Sequence, residues 1–245
     1  MWPTRWPPNA FKPGITFELI GAVVATGLLV FLLGIFAFRL LHHNLPTSVS
    51  AKPSLDTALF IQLVMELLIV ILLLIYLPRA SGFSLRELGV TWPGANAIAY
   101  GILGAMMMIF VVDASGAIID SLTHATHPQD VLKAFEAARR PVTIIFFAVF
   151  AIIIAPIAEE LVFRVFLFNL GLRYAGFWIG AASSSIIFGI AHGGIFVALP
   201  LALGGIVLCG VYYSSRNSIS SMISHALFNA VTVFGVLAST HGTHA

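Results

Sequence analysis

The chain has 245 residues, 59% of them hydrophobic and 9% charged, with a formal net charge of +2 and a mean hydropathy of +1.01. Soluble domains carry about 25% charged residues, so this composition specifies an integral membrane protein. No run of Lys and Arg forms a nucleic-acid patch, and one cysteine, Cys209, offers neither an intrachain disulfide nor a thiolate metal cluster.

Residues 1–14 form a short N-terminal segment with three prolines in the first eight positions. The apolar run that follows is too long for a signal-peptide core and lacks a small-residue cleavage site, so it is read as a retained span. A helix needs about 20 apolar residues to cross the hydrocarbon. Seven intervals qualify: 15–41, 57–78, 95–122, 142–170, 174–194, 196–214 and 217–239. The expected fold is all-α, a polytopic transmembrane helical bundle of about seven spans, with an eighth allowed if a long interval divides. Residues 15–141 make up the N-terminal helices and loops, including an amphipathic surface helix within 123–141. Residues 142–239 form the core that carries the chemistry, and 240–245 a short tail. No soluble domain is present, so the bundle itself must do the work.

That work is signalled by charges where hydrocarbon disfavours them. Ala155-Pro-Ile-Ala-Glu-Glu-Leu-Val-Phe-Arg164 places two carboxylates and a guanidinium inside an apolar interval. Each ionised side chain at a helix centre costs roughly 2.5–3.5 kcal/mol on insertion scales. Glu160 and Arg164 are four apart, stacked on one helix face in the favoured order. Glu159 projects about 100° away, free to meet another helix. Pro156 predicts a kink just before the carboxylates. His192, in Phe188-Gly-Ile-Ala-His192, follows Ser183–Ser185, whose small side chains permit close helix approach. His225 and Asn229 share a face on the last span. Alone, His192 reads as a packing residue, and the His225–Asn229 pair is ambiguous. Together they need partners in hydrocarbon, and one shared polar cavity supplies them. A carboxylate base beside an imidazole activates water, and convergent donors stabilise an oxyanion, which is equipment for hydrolysing an amide.

Competing designs have weaker signatures. The chain contains no His-Glu-x-x-His helix and no Gly-x-Ser-x-Gly elbow. Asp113 and Asp120 lie on one interval rather than on two facing ones. Gln62 and Glu66 share a face and read as a packing hydrogen bond, while Cys209 reads as core. Trp92 and Trp178 fall near expected interfaces.

Glu-Glu-x-x-x-Arg, Phe-x-x-x-His and His-x-x-x-Asn, in that order on successive spans, closely resemble the CPBP family of intramembrane proteases, also called Abi or CAAX-protease-like. The resemblance covers roughly residues 142–235, and the loop Leu85-Arg-Glu-Leu-Gly89 is similar to the family's upstream region. It implies that Glu159, assisted by His192, activates water, that His225 and Asn229 form the oxyanion hole, that Glu160 and Arg164 order the site or contact the substrate backbone, and that Phe188 packs beside it. Both a metal-free and a metallo-type mechanism fit the pattern; in the second, Glu159, His192 and His225 would hold Zn2+. The implied substrate is a membrane protein or a lipidated, prenylated CAAX-type peptide in the bilayer, and the compactness of the chain suggests a prokaryotic plasma membrane as its setting. Two other classes stand beside this reading: a proton-coupled transporter, and a non-catalytic immunity or scaffold protein on the same fold.

Overall fold

The computed structural model describes Gly21 and residues 55–241, so the expected span 15–41, the N-terminal segment and residues 242–245 lie outside the described residues. The rest is helical, with no strand among the described residues. Helix α1 is Leu55–Ser81, α2 Ala95–Thr123, α3 Asp130–Glu136 and α4 Pro141–Val149. A π-helical turn, Phe150–Ile154, leads into α5, Ala155–Glu160, and a second π-helical stretch, Leu161–Phe168, into α6, Asn169–Ala191. Helices α7, Ile195–Ser215, and α8, Ser218–His241, complete the chain.

Five helices are long and apolar enough to cross a membrane: Leu55–Ser81, Ala95–Thr123, Pro141–Ala191, Ile195–Ser215 and Ser218–Thr240. The third has 51 residues, a length of about 77 Å at 1.5 Å per residue against a hydrocarbon core of about 30 Å. It is not one rod. Gly176 takes φ 80° and ψ 179°, a conformation that L side chains avoid, and the chain doubles back there. A Cβ on Gly171 would come within 2.6 Å of Gly180 Cα, a contact a straight helix could not make across nine residues. The Ser184 hydroxyl reaches back to donate to the Phe163 carbonyl at 2.6 Å. The expected intervals 142–170 and 174–194 are the two limbs of this hairpin.

The outer surface is apolar. Phe60, Leu103, Met106, Phe110, Ile145 and Ile190 are all exposed, as side chains facing lipid would be. Inside, small residues let the helices close up. A side chain on Gly104 of α2 would collide with Ser224 Oγ and Val211 of the helices opposite, and Ser224 Oγ donates to the Gly101 carbonyl at 2.7 Å. This is the small-residue packing that membrane bundles use in place of a hydrophobic driving force. Cys209 is fully buried, as the packing reading requires.

The loop after α1 is latched to the far end of the bundle. Ser84 and Glu87 cap its turn reciprocally, the Ser84 N–H and hydroxyl both donating to Glu87 Oε2 at 2.8 and 2.7 Å. These bonds hold the exposed Glu87 carboxyl below its ordinary range. Leu88 is fully buried, and its carbonyl accepts from the Tyr212 hydroxyl at 2.7 Å, which in turn accepts from Asn169 Nδ2 at 2.6 Å. The Gly89 carbonyl accepts from Ser218 N–H at 2.8 Å. Tyr212→Phe leaves the buried Leu88 carbonyl unpaired, so it should cost about 1–3 kcal/mol; a detergent-solubilised thermal unfolding curve reads this as a lowered midpoint, with Tyr213→Phe as the reference.

The expected surface helix within 123–141 is shorter than its sequence interval, only the seven residues of α3. Its Phe135 stacks on Phe147 at 4.1 Å between centroids, which fixes α3 over the adjoining spans.

Candidate active site

The proline expected to kink the chain does so by resetting the hydrogen-bond register. In the turn Phe150–Ile154, the Ala155 N–H bonds the Phe150 carbonyl five residues back, the π-helical spacing. The Ala151 carbonyl would then need the N–H of residue 156, and Pro156 has none. Asn229 supplies the missing donor: its Nδ2 bonds the Ala151 carbonyl at 2.7 Å. π-Helical turns are uncommon and concentrate at functional sites. Here two of them bracket the six residues that end in Glu159-Glu160.

The two glutamates divide as their spacing predicts. Glu160 and Arg164 are both fully buried, with Oε1 and NH1 2.8 Å apart. Arg164 NH2 also donates to the Gly205 carbonyl at 3.3 Å, and its guanidinium lies 4.6 Å from the centre of the Phe188 ring. Phe188 is thereby wedged between Arg164 and both histidines, 4.5 Å from the His192 ring and 5.6 Å from the His225 ring. Glu159, with 16% of its side chain exposed, turns to the other face. Its Oε2 lies 3.6 Å from His192 Nε2 and 3.7 Å from His225 Nε2.

The rings' other nitrogens define what those Nε2 atoms carry. His192 Nδ1 is 2.7 Å from the Phe188 carbonyl, an acceptor only, so Nδ1 donates. His225 Nδ1 is 3.1 Å from Glu160 Oε1, an arginine-paired carboxylate that also only accepts. When neutral, each ring therefore turns an Nε2 lone pair towards Glu159, whose Oε2 has no hydrogen-bond partner among the described residues. In that state three acceptors face one another without a donor. Such a set needs a shared proton or a molecule that donates to it, and water does so.

These groups open on a cavity of about 410 Å3. Glu159, His192, His225, Asn229 and Phe188 all line it, among apolar walls that include Met65, Met108, Leu201 and Phe228. Gln129, Val131 and Leu132, from the start of α3, line it as well. Glu160 and Arg164 stand behind the wall with no exposed surface. Asn229 is on the cavity, but one of its two amide hydrogens is committed to Ala151.

Glu159, His192 and His225, the residues that would hold Zn2+ in a metallo-type mechanism, face one another on the cavity, with the two Nε2 atoms 3.6 and 3.7 Å from Glu159 Oε2. A histidine oriented by a carboxylate, as His225 is by Glu160, is also a pattern common at metal centres.

One acid in the cavity was read in the sequence as packing. Glu66 does bond Gln62, whose Nε2 donates to Glu66 Oε1 at 3.1 Å. Both residues nevertheless line the same cavity as Glu159. Spacing reveals that they share a face of α1, and only tertiary packing shows where that face points. Asp113, by contrast, is exposed and does not line the cavity.

Comparison with known proteins supports the same segment. Residues 141–231 match the family model described as type II CAAX prenyl endopeptidase Rce1-like. The chain is also 27% identical over 219 residues to the membrane-embedded CAAX protease MroQ of Staphylococcus aureus, strain USA300, covering 85% of this chain and 87% of that protein. No solved structure matches the chain. The matched segment holds all three polar motifs, and both matches support a likeness to the CPBP, or CAAX-protease, family for this multi-pass integral membrane chain.

Proposed function

We propose that the cavity hydrolyses a peptide bond in a membrane-associated protein, using water activated by Glu159 with His192 and no metal in the reaction path. The observation that carries this reading is the unpartnered Glu159 Oε2, faced by Nε2 of His192 and of His225 at 3.6 and 3.7 Å. A water placed there donates one proton to Glu159, is oriented by His192, and attacks the carbonyl carbon. The second amide hydrogen of Asn229 is aimed from the cavity wall and serves the developing oxyanion. His225 can join it only as an imidazolium, because Nδ1 is committed to Glu160; the Glu160 carboxylate balances that charge.

The apolar walls suit a substrate whose scissile bond adjoins a lipid anchor or a transmembrane segment. The prenyl endopeptidase description of the matching family favours a prenylated CAAX-type tail, and the bacterial relative favours a prokaryotic plasma membrane as the setting. The family match and the bacterial relative favour a protease over a transporter or an immunity protein.

Peptidomics of membranes from cells expressing wild type and Glu159→Gln tests the reading. Wild-type membranes should accumulate cleaved tails that Glu159→Gln membranes lack, and a zinc chelator should leave that difference intact. Equal peptide profiles would overturn the hydrolytic role of Glu159. Loss of cleavage with chelator, restored by zinc, would overturn the metal-free path.

A further inference from the structure

Glu66 is the one acid on the cavity that the proposed chemistry does not use. It is 6% exposed, and its Oε2 has no hydrogen-bond partner among the described residues. Its Oε1 is met only by the neutral Gln62 amide. The charged and titratable groups around it come from the elements packed against α1 and across the cavity. Glu159 of α5 lines the same cavity. Glu160 and Arg164 are engaged with each other, and His192 and His225 turn their Nε2 atoms to Glu159. No cation among these is left for Glu66. Two carboxylates sharing an enclosed site cannot both stay ionised cheaply, and Glu66 is the more deeply buried of the two.

The hydrolysis needs such a partner. When Glu159 takes a proton from water, the carbon–oxygen bond forms and the tetrahedral centre then breaks its carbon–nitrogen bond. The departing nitrogen must gain a proton or it leaves as an amide anion. We propose that Glu66 is the proton donor of this site: on the cavity it shares with Glu159, it stands protonated and gives its proton to the leaving nitrogen. The products are a carboxylic acid and an amine. The proton on Glu159 then passes through cavity water to Glu66, which returns both groups to their starting states. This rests on the hydrolytic reading of the cavity and extends it to a fifth helix-borne group, from α1, outside the segment that matches the protease family.

The full-length chain, reconstituted in liposomes with an internally quenched farnesylated CAAX peptide, tests the assignment. Glu66→Gln keeps the shape and the bond to Gln62 but has no proton to give. It should lower kcat about 100-fold, leave KM within about threefold, a small change by the usual reading of mutant kinetics, and lose the alkaline limb of the pH–rate profile. Gln62→Ala, which keeps the acid, should retain that limb but move it. An infrared difference spectrum of wild type against Glu66→Gln at neutral pH, which needs no substrate, should show a protonated-carboxyl carbonyl stretch in wild type alone. Wild-type kcat in Glu66→Gln, a loss confined to KM with an unchanged profile, or no carboxyl band would each overturn the role of Glu66. Cleavage that persists in Glu159→Gln would overturn the hydrolytic reading itself, so the two failures are distinguishable.

Discussion

Glu159→Gln should reduce peptide-bond cleavage by about 10²–10⁴-fold, the range general-base catalysis contributes, while the protein stays folded. The substitution changes almost nothing but protonation. Gln keeps the volume of Glu, and the position is partly open to the cavity rather than locked in the core. The guanidinium nearby, Arg164, is held by Glu160 at 2.8 Å rather than by Glu159. What is lost is the acceptor that takes the proton of water. Steady-state cleavage by purified, reconstituted protein measures the rate, and an unchanged thermal midpoint shows that the fold survives. The pairing of a large kinetic effect with a small stability effect separates this residue from every buried charge behind it.

Arg164 predicts the reverse. Arg164→Met should destabilise the protein by about 3–5 kcal/mol, the cost of leaving one member of a buried pair alone. The guanidinium neutralises Glu160, spans to the Gly205 carbonyl and lies over Phe188. Its removal leaves Glu160 without its guanidinium partner, beside His225, and unpins the ring that packs on both histidines. Activity should fall as a consequence of disorder in the site. Thermal unfolding in detergent checks this, and Arg164→Met combined with Glu160→Gln provides the control. The double variant should recover much of the lost stability, because it removes the orphaned charge. It should not recover cleavage, since His225 then loses the carboxylate that orients its Nδ1.

The sequence carried the fold and the three polar motifs well, for physical reasons that can be named. Apolar intervals of membrane-spanning length are governed by the thickness of the bilayer, so the limbs at 142–170 and 174–194 were legible, and the hairpin glycine, Gly176, falls beside the gap between them. Four-residue spacing made the Glu160–Arg164 pair legible, and the angular offset of adjacent helical residues made Glu159 point elsewhere. The π-helical turns were not legible, because they depend on which carbonyl each N–H chooses. Pro156 announced a break but not its form. The bond from Asn229 to Ala151 follows only once that form is known. Glu66 shows a different limit. Its helix face was evident from spacing with Gln62, but hydrocarbon, packed core and reaction cavity look alike to a single helix read alone. The orientation of α1 against the hairpin decides among them.

A double-mutant cycle on Glu159 and His192 tests the central claim most directly. Purified Glu159→Gln, His192→Ala and the double variant are compared with wild type for cleavage of the farnesylated CAAX peptide in liposomes. If the two residues act as one unit on a single water, the double variant should be no slower than the slower single variant, since groups that work together are strongly non-additive. Losses that multiply across the cycle, or substantial cleavage remaining in Glu159→Gln, would contradict the account.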